Sequence, residues 1–296
     1  MKGEAARLCP VVNSEKEKTF TLHEMLHCGR FTLSLDRPLI MGIVNVTPDS
    51  FSDGGNFFSS ERAVDHAMQL IEQGADLLDI GAESTRPGAQ AVEVEEELRR
   101  LLPVLDALSD CGVPLSVDTL KPEVMRAAIE AGADMINDVN ALRAKGALQV
   151  VADSAVAVCL MHMQGEPRTM QHSPVYQDVV NEVISFLVER ISVAEQAGIQ
   201  RNRLMIDPGF GFGKTLEHNL GMLKRLDSFA GLGVPLLAGL SRKSMLGILT
   251  GLPVMERMVP SVASAVIAAM KGAKILRVHD VKETRQALQI VGALGE

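Results

Sequence analysis

Carboxylates, amides and basic side chains recur in this chain at one kind of place: directly after a short apolar run. Asp118 follows the run 113–117, Asn137 the run 134–136, and Asp207 the run 203–206. Two carboxylates and an amide in such positions form a wall of hydrogen-bond acceptors, and that wall suits a flat heterocycle rich in N–H groups. Burying an unpaired carboxylate is costly, so a ligand or a protein base must satisfy it. Lys243, Arg277, His279 and Arg86 are expected to form a basic cluster on the other side, suited to a pyrophosphate or a carboxylate. Asn45 ends another apolar run. Its neutral oxygen is a weak ligand, but it can complete the shell of a Mg2+ held mostly by phosphate oxygens and water.

The stretch 206–214, Ile-Asp-Pro-Gly-Phe-Gly-Phe-Gly-Lys, is the most distinctive. Pro208 fixes the exit direction after Asp207, and the glycines let the loop backbone approach a ligand closely. It is not a Walker A loop, which needs glycine where Pro208 stands. Nor is it a dinucleotide fingerprint, because its glycines alternate strictly. Each residue also has a plainer reading. Asp118, close before Pro122, can cap the next helix, and a lone Arg or His at a rim is commonly a surface ion pair. Of Phe210 and Phe212, one is read as core and one as a ligand contact. Asp79 and His162 are read as structural, and Met41 and Met161 as core packing. What favours the functional reading is convergence, since polar residues at every strand end are hard to explain as so many separate caps.

The elements that must position these residues alternate regularly. Strands are expected at 39–44, 76–80, 113–117, 134–136, 155–161, 203–206, 234–238 and 274–276. Helices are expected at 61–73, 93–110, 122–131, 147–153, 179–196, 218–229, 245–249 with 261–270, and from 281 to about 294. Asp280 with Glu283 resembles a capping box for the last helix. Short continuous apolar strands imply a parallel sheet buried on both faces. Eight strand–helix units in roughly 250 residues match an α/β (β/α)8 (TIM) barrel, with a doubly wound open sheet as runner-up. In a barrel all eight polar strand ends face one mouth. Residues 1–37 form a tail and a short N-terminal β-hairpin extension, with the segment 31–35 over the bottom of the barrel. Residues 38–296 are the barrel domain.

The bulk properties narrow the function further. With 296 residues, 47% hydrophobic and only 3% aromatic, the core is one of Val, Leu, Ile, Ala and Met. A net charge of -8 argues against a nucleic-acid or anionic-membrane surface, so any bound anion is held by local cations. No run approaches the roughly 18 apolar residues of a membrane span, and the first residues lack a signal peptide. The four cysteines, Cys9, Cys28, Cys111 and Cys159, form no metal-spaced pair, and Cys159 reads as a buried free thiol. A reducing, cytoplasmic setting follows. The small-residue-rich helix at 261–270 is a candidate face for a homodimer.

The motifs also resemble a known family. The stretch 45–55, Asn-Val-Thr-Pro-Asp-Ser-Phe-Ser-Asp-Gly-Gly, is similar to the first signature of the dihydropteroate synthases, and 81–88, Gly-Ala-Glu-Ser-Thr-Arg-Pro-Gly, to their second loop. The motifs around Asp118, Asn137, His162, Asp207, Lys243 and Arg277 follow in the family's order, from about residue 38 to the C-terminus. The resemblance implies a pterin-binding transferase of folate biosynthesis and a sulfonamide target. Its members join 6-hydroxymethyl-7,8-dihydropterin diphosphate to p-aminobenzoate with Mg2+. It further implies that Asp118, Asn137, Asp207 and Lys243 hold the pterin edge while Arg277 stacks on its plane. Asn45, Arg277 and His279 then face the diphosphate, and Ser244 meets the p-aminobenzoate carboxylate. Thr85, Arg86, Met161, Phe212, Gly239 and Ser241 complete the substrate contacts. Phe51, Pro48, Pro87 and Phe212 wall the p-aminobenzoate pocket once loops 47–57 and 85–88 close. Competing readings are a pterin-binding methyltransferase acting on a corrinoid protein, and a non-catalytic barrel.

Overall fold

The computed structural model describes residues 25–46, 56–84, 91–166 and 169–295. Strands β1 (Met25–Cys28) and β2 (Phe31–Ser34) form an antiparallel hairpin. The chain then runs β3 (Leu39–Asn45), α1 (Asn56–Glu72), β4 (Leu77–Gly81), α2 (Val94–Ala107), β5 (Leu115–Asp118), α3 (Pro122–Glu130), β6 (Met135–Asp138), α4 (Ala147–Ala152) and β7 (Ala157–Met161). It continues through α5 (Val179–Gln196), β8 (Leu204–Asp207), α6 (Leu216–Lys224), α7 (Asp227–Ala230), β9 (Leu237–Ala238), α8 (Ser244–Thr250), α9 (Met258–Met270), β10 (Ile275–Val278) and α10 (Val281–Gly295).

The sheet has eight parallel strands in the order β8-β7-β6-β5-β4-β3-β10-β9. A bridge between Ile206 and Leu236 joins its two ends, with the Ile206 N–H donating to the Pro235 carbonyl at 3.0 Å. This is the barrel expected, not the open sheet. Two elements differ from expectation. The seventh strand was expected over 234–238 but β9 spans only Leu237–Ala238, since Pro235 has no N–H to give the ladder. The helix expected over 218–229 is two helices. A turn at Arg225 ends α6 and lets Leu226 and Phe229 both reach the core.

Alternation along the strands sorts side chains into two layers. Ile40, Leu78, Val117, Ile136, Val158, Ile206 and Leu276 face outward and pack under the helices. Leu39, Met41, Leu77, Met135, Ala157, Cys159, Met205, Leu237 and Ile275 face inward, where they meet Leu26, Cys28 and Leu35 of the hairpin segment. The hairpin therefore plugs the N-terminal end of the barrel. It is fastened by Arg30, which donates from its backbone and side chain to the buried Asp134 at 3.0–3.1 Å. Beside it, Asp76 gathers Arg37, Arg285 and the Ile40 N–H. With the bottom sealed by apolar side chains, the same inward parity carried up the strands leads to polar residues. Among the described residues, no helix is long and apolar enough to cross a membrane.

Candidate functional site

Two residues above the apolar plug, the inward positions become Asp79 on β4, Ser116 on β5, Asn137 on β6 and Arg277 on β10. Asp118 and Asp207 stand at the tips of β5 and β8. Asp79 is fully buried. It accepts from Ser116 Oγ at 2.6 Å, Asn137 Nδ2 at 3.0 Å and Arg277 Nε at 2.5 Å. Arg277 Nη2 also donates to Asp118 Oδ2 at 2.9 Å. Burial drives the Asp118 carboxyl up to about 7; Arg277 opposes the rise and Asp79 adds to it. Burial works against the Arg277 charge too, but Asp79 and Asp118 more than offset it and hold the guanidinium above its ordinary range.

Asp207 and Lys243 form the second half. Burial raises the Asp207 carboxyl, with Lys243 and the Gly209 N–H (2.7 Å) pulling the other way. Burial lowers the Lys243 amine to about 8. A Cβ placed on Gly239 would lie 3.8 Å from Asp207 Oδ2, 3.8 Å from Lys243 Nζ and 3.9 Å from Arg277 Cβ. Gly239 is thus the point where the two halves meet, and its missing side chain keeps that space open. Lys243 Nζ also donates to the Phe210 carbonyl and lies 4.8 Å from the centroid of the Phe212 ring.

The glycine-rich loop after β8 wraps around a buried amine, whose charged form burial disfavours. Lys214 is buried and donates to the carbonyls of Gly209 (2.9 Å) and Phe212 (2.9 Å), with His162 Nδ1 at 3.0 Å. Burial takes the His162 imidazole down to about 3, so it is neutral at pH 7 and Nδ1 can accept. Gly209 has φ +71, and a Cβ there would collide with the His162 carbonyl, so only glycine lets this loop lie against β7. Phe210 is fully buried in the core while Phe212 is partly exposed beside Met161, Met163 and Met170.

The turn 239–244 is held from behind. Arg242 adopts φ +57, and its N–H donates to Ser261 Oγ at 2.9 Å. Arg257 Nη1 donates to the Arg242 carbonyl at 3.1 Å. Asp280, expected as a helix cap, turns its carboxylate to Arg242 at 2.5 Å. Ser241 Oγ meets His279 Nδ1 at 2.9 Å, which orients the imidazole, and Ser244 is exposed as the first residue of α8. Asn45, partly buried, is level with Gly81, which is level in turn with Asp118. Among the described residues, no three His, Cys, Asp or Glu side chains converge as a metal cage.

The expected residues Asn45, Asp118, Asn137, Met161, Asp207, Phe212, Gly239, Ser241, Lys243, Ser244, Arg277 and His279 therefore all gather at the C-terminal mouth. Thr85, Arg86, Pro87, Pro48 and Phe51 lie outside the described residues. One expectation is corrected. Arg277 and Lys243 do not form a basic cluster opposite an acidic wall; they are interleaved with it, because inward parity puts Arg277 between Asp79 and Asp118. Asp79, read as structural, is the hub of this network. A carboxylate in mid-strand needs buried donors, and Ser116, level with Asp79 on the next strand, was the signal. The clamp formed by Lys214 has no counterpart among the expectations from sequence.

The pterin binding enzyme family matches residues 41–279. The dihydropteroate synthase of Escherichia coli K12 is 53% identical over 263 residues, 88% of this chain and 93% of that protein. This chain belongs to the dihydropteroate synthase family. The solved Xanthomonas albilineans dihydropteroate synthase with 4-aminobenzoic acid superposes with a TM-score of 0.87 at 58% identity, covering 92% of this chain and 98% of that one. The same enzyme in complex with 7,8-dihydropteroate gives a TM-score of 0.83 at 55% identity over 92% of this chain and 98% of that one. Within the dihydropteroate synthase family, the glycine-rich loop of this chain makes a specific demand on stability. Lys214→Met strips a buried amine from two carbonyls and an imidazole, each of which loses about 1–3 kcal/mol when left unpaired. Urea denaturation is expected to show a loss of about 3 kcal/mol or more, and a loss below about 1 kcal/mol would contradict the clamp.

Proposed function

We propose that this chain condenses 6-hydroxymethyl-7,8-dihydropterin diphosphate with p-aminobenzoate to give 7,8-dihydropteroate and pyrophosphate. The observation that carries the reading is the meeting of Asp118, Asn137, Asp207, Lys243 and Arg277 around one mouth. The aminopyrimidine part of a pterin presents N–H groups, and Asp118, Asp207 and the Asn137 oxygen are the acceptors that match it. Arg277 offers its guanidinium plane to the ring, and Gly239 leaves room for it. Lys243 supplies a donor at the same edge.

The bond changes are a substitution at the methylene carbon. The C–O bond to diphosphate breaks with its electron pair, the p-aminobenzoate nitrogen forms the C–N bond, and that nitrogen loses a proton. The electron-rich pterin shares the positive charge left on the methylene, which favours a dissociative course. Arg277 and His279 stabilise the negative charge on the departing diphosphate. A neutral aniline nitrogen is already nucleophilic, so no strong base is required. Asn45, partly buried at the mouth, offers one neutral oxygen, which would complete the shell of a Mg2+ carried mainly by diphosphate oxygens and water. Such an ion, when bound, would neutralise leaving-group charge. Ser244 would bond the p-aminobenzoate carboxylate, with Phe212 and Met161 as apolar wall.

Initial-rate assays with both substrates and Mg2+ test the reaction. Turnover is expected, with kcat/KM for the pterin falling as pH rises through about 8. The ammonium of Lys243 is present below that value and lost above it. In Lys243→Arg the charge persists, so that limb moves to higher pH. No product at any pH would overturn the reading.

The chain is also proposed to form a homodimer. Helix α9 packs against α8 and α10, and this part of the chain leaves Leu249, Met255, Val259, Met270, Ile290 and Leu294 exposed. Exposed apolar side chains, where they adjoin, mark a surface that a partner covers. A second copy covers it with the same surface. Sedimentation is expected to give a dimer for the native chain and a monomer for Val259→Glu; a native monomer would contradict it.

A further inference from the structure

Asp79 lies beneath the ligand-facing residues, and the reaction just described gives it no role. Its carboxylate is fully buried, yet all three of its side-chain donors are specific: Ser116 Oγ, Asn137 Nδ2 and Arg277 Nε. Two of these belong to residues that face the pterin. The bond to Nδ2 settles which end of the Asn137 amide points down. The bond to Nε takes the one guanidinium N–H that lies nearest the side-chain stem.

We infer that Asp79 is a positioning residue for pterin recognition: it draws the Asn137 amino group and Arg277 Nε to itself, so that Asn137 presents its oxygen, and Arg277 its outer N–H groups, to the ligand. The inference rests on the pterin reading. Asp118 is the exchangeable partner of Arg277, because it must also accept from the ligand, whereas Asp79 is out of the ligand's reach and stays bound to Nε. Asp79 thereby supplies the fixed countercharge that lets Arg277 share Asp118 with a substrate.

The groups that act on Asp118 are Arg277 from β10, which lowers its pKa, and Asp79 from β4, Glu97 from α2 and Asp138 from β6, which raise it. Asp79→Asn is close to isosteric, and the Ser116 hydroxyl can turn to accept from the new amide, so the variant removes charge more than packing. Pterin diphosphate binding would be followed by calorimetry from pH 5 to 9 in the native chain, Asp79→Asn, Arg277→Ala and the double variant, with a thermal melt of each. Asp79→Asn is expected to weaken binding about ten-fold, the scale of one charge-assisted hydrogen bond. In the Arg277→Ala background the further loss shrinks to the share carried by the Asn137 amide, because the Asp79 charge then has no guanidinium to hold. The acid limb of binding, lost as pH falls through the Asp118 value, moves to lower pH once the Asp79 charge no longer raises it.

If Asp79→Asn melts too low to assay, Ser116→Ala loosens the same carboxylate and leaves both charges. It is expected to cost about three-fold with Arg277 present and clearly less without it. Losses that multiply independently in the double variants, or an unmoved acid limb in a protein that melts normally, overturn the inference. No binding by the native chain would instead overturn the pterin reading.

Discussion

Buried charge at the top of an otherwise apolar cylinder is the constraint on which the rest of this structure depends. Among the inward-facing residues described above, three carboxylates (Asp79, Asp118 and Asp207) stand against two cations (Arg277 and Lys243). One carboxylate is in excess, in a place where an unmatched charge is expensive. Proton uptake offers one remedy, and the raised Asp118 and Asp207 carboxyls show the tendency. A ligand whose edge is made of N–H groups offers the other. The site is thus left short of donors, and its specificity follows from what can supply them.

The remainder of the fold keeps that arrangement from relaxing. The lower half of the barrel is filled by leucine, methionine and alanine and closed by the hairpin, so water has no route from below. Several of the side chains proposed to face the ligand are held by a neighbour outside that set. Asp79 holds Asn137 and Arg277, and Ser241 holds His279. Lys214 holds the loop that carries Phe212, while Arg257 and Ser261 hold the turn that carries Lys243. Recognition groups held in this way lose little freedom when the ligand arrives.

Much of this was legible in the residues themselves. The alternation of apolar runs and amphipathic helices gave the barrel, and the polar residue after each run gave the mouth. What could not be read was which neighbour each side chain meets. The strands are apolar on both faces, so a run such as Leu77-Leu78-Asp79-Ile80 carries no alternation to show that Asp79 points inward; only the register with Ser116 does. For the same reason Arg277 could be placed at the mouth but not between two carboxylates. Pro235 and the turn at Arg225 were misjudged because continuous apolarity says little about where hydrogen bonding stops. The Lys214 clamp depends on loop carbonyls turning inward, which side-chain types do not reveal.

The central claim is that a pterin supplies the missing donors to these carboxylates. The most direct measurement is the proton balance of binding, by calorimetry of pterin diphosphate at pH 7 in buffers of different ionisation enthalpy. With its carboxyl near 7, Asp118 is about half protonated in the free protein. Donors from the ligand stabilise its ionised form, so binding is predicted to release a substantial fraction of a proton, and Asp118→Asn to lose that release. Binding with no proton exchange, or with the same release in Asp118→Asn, would contradict the account.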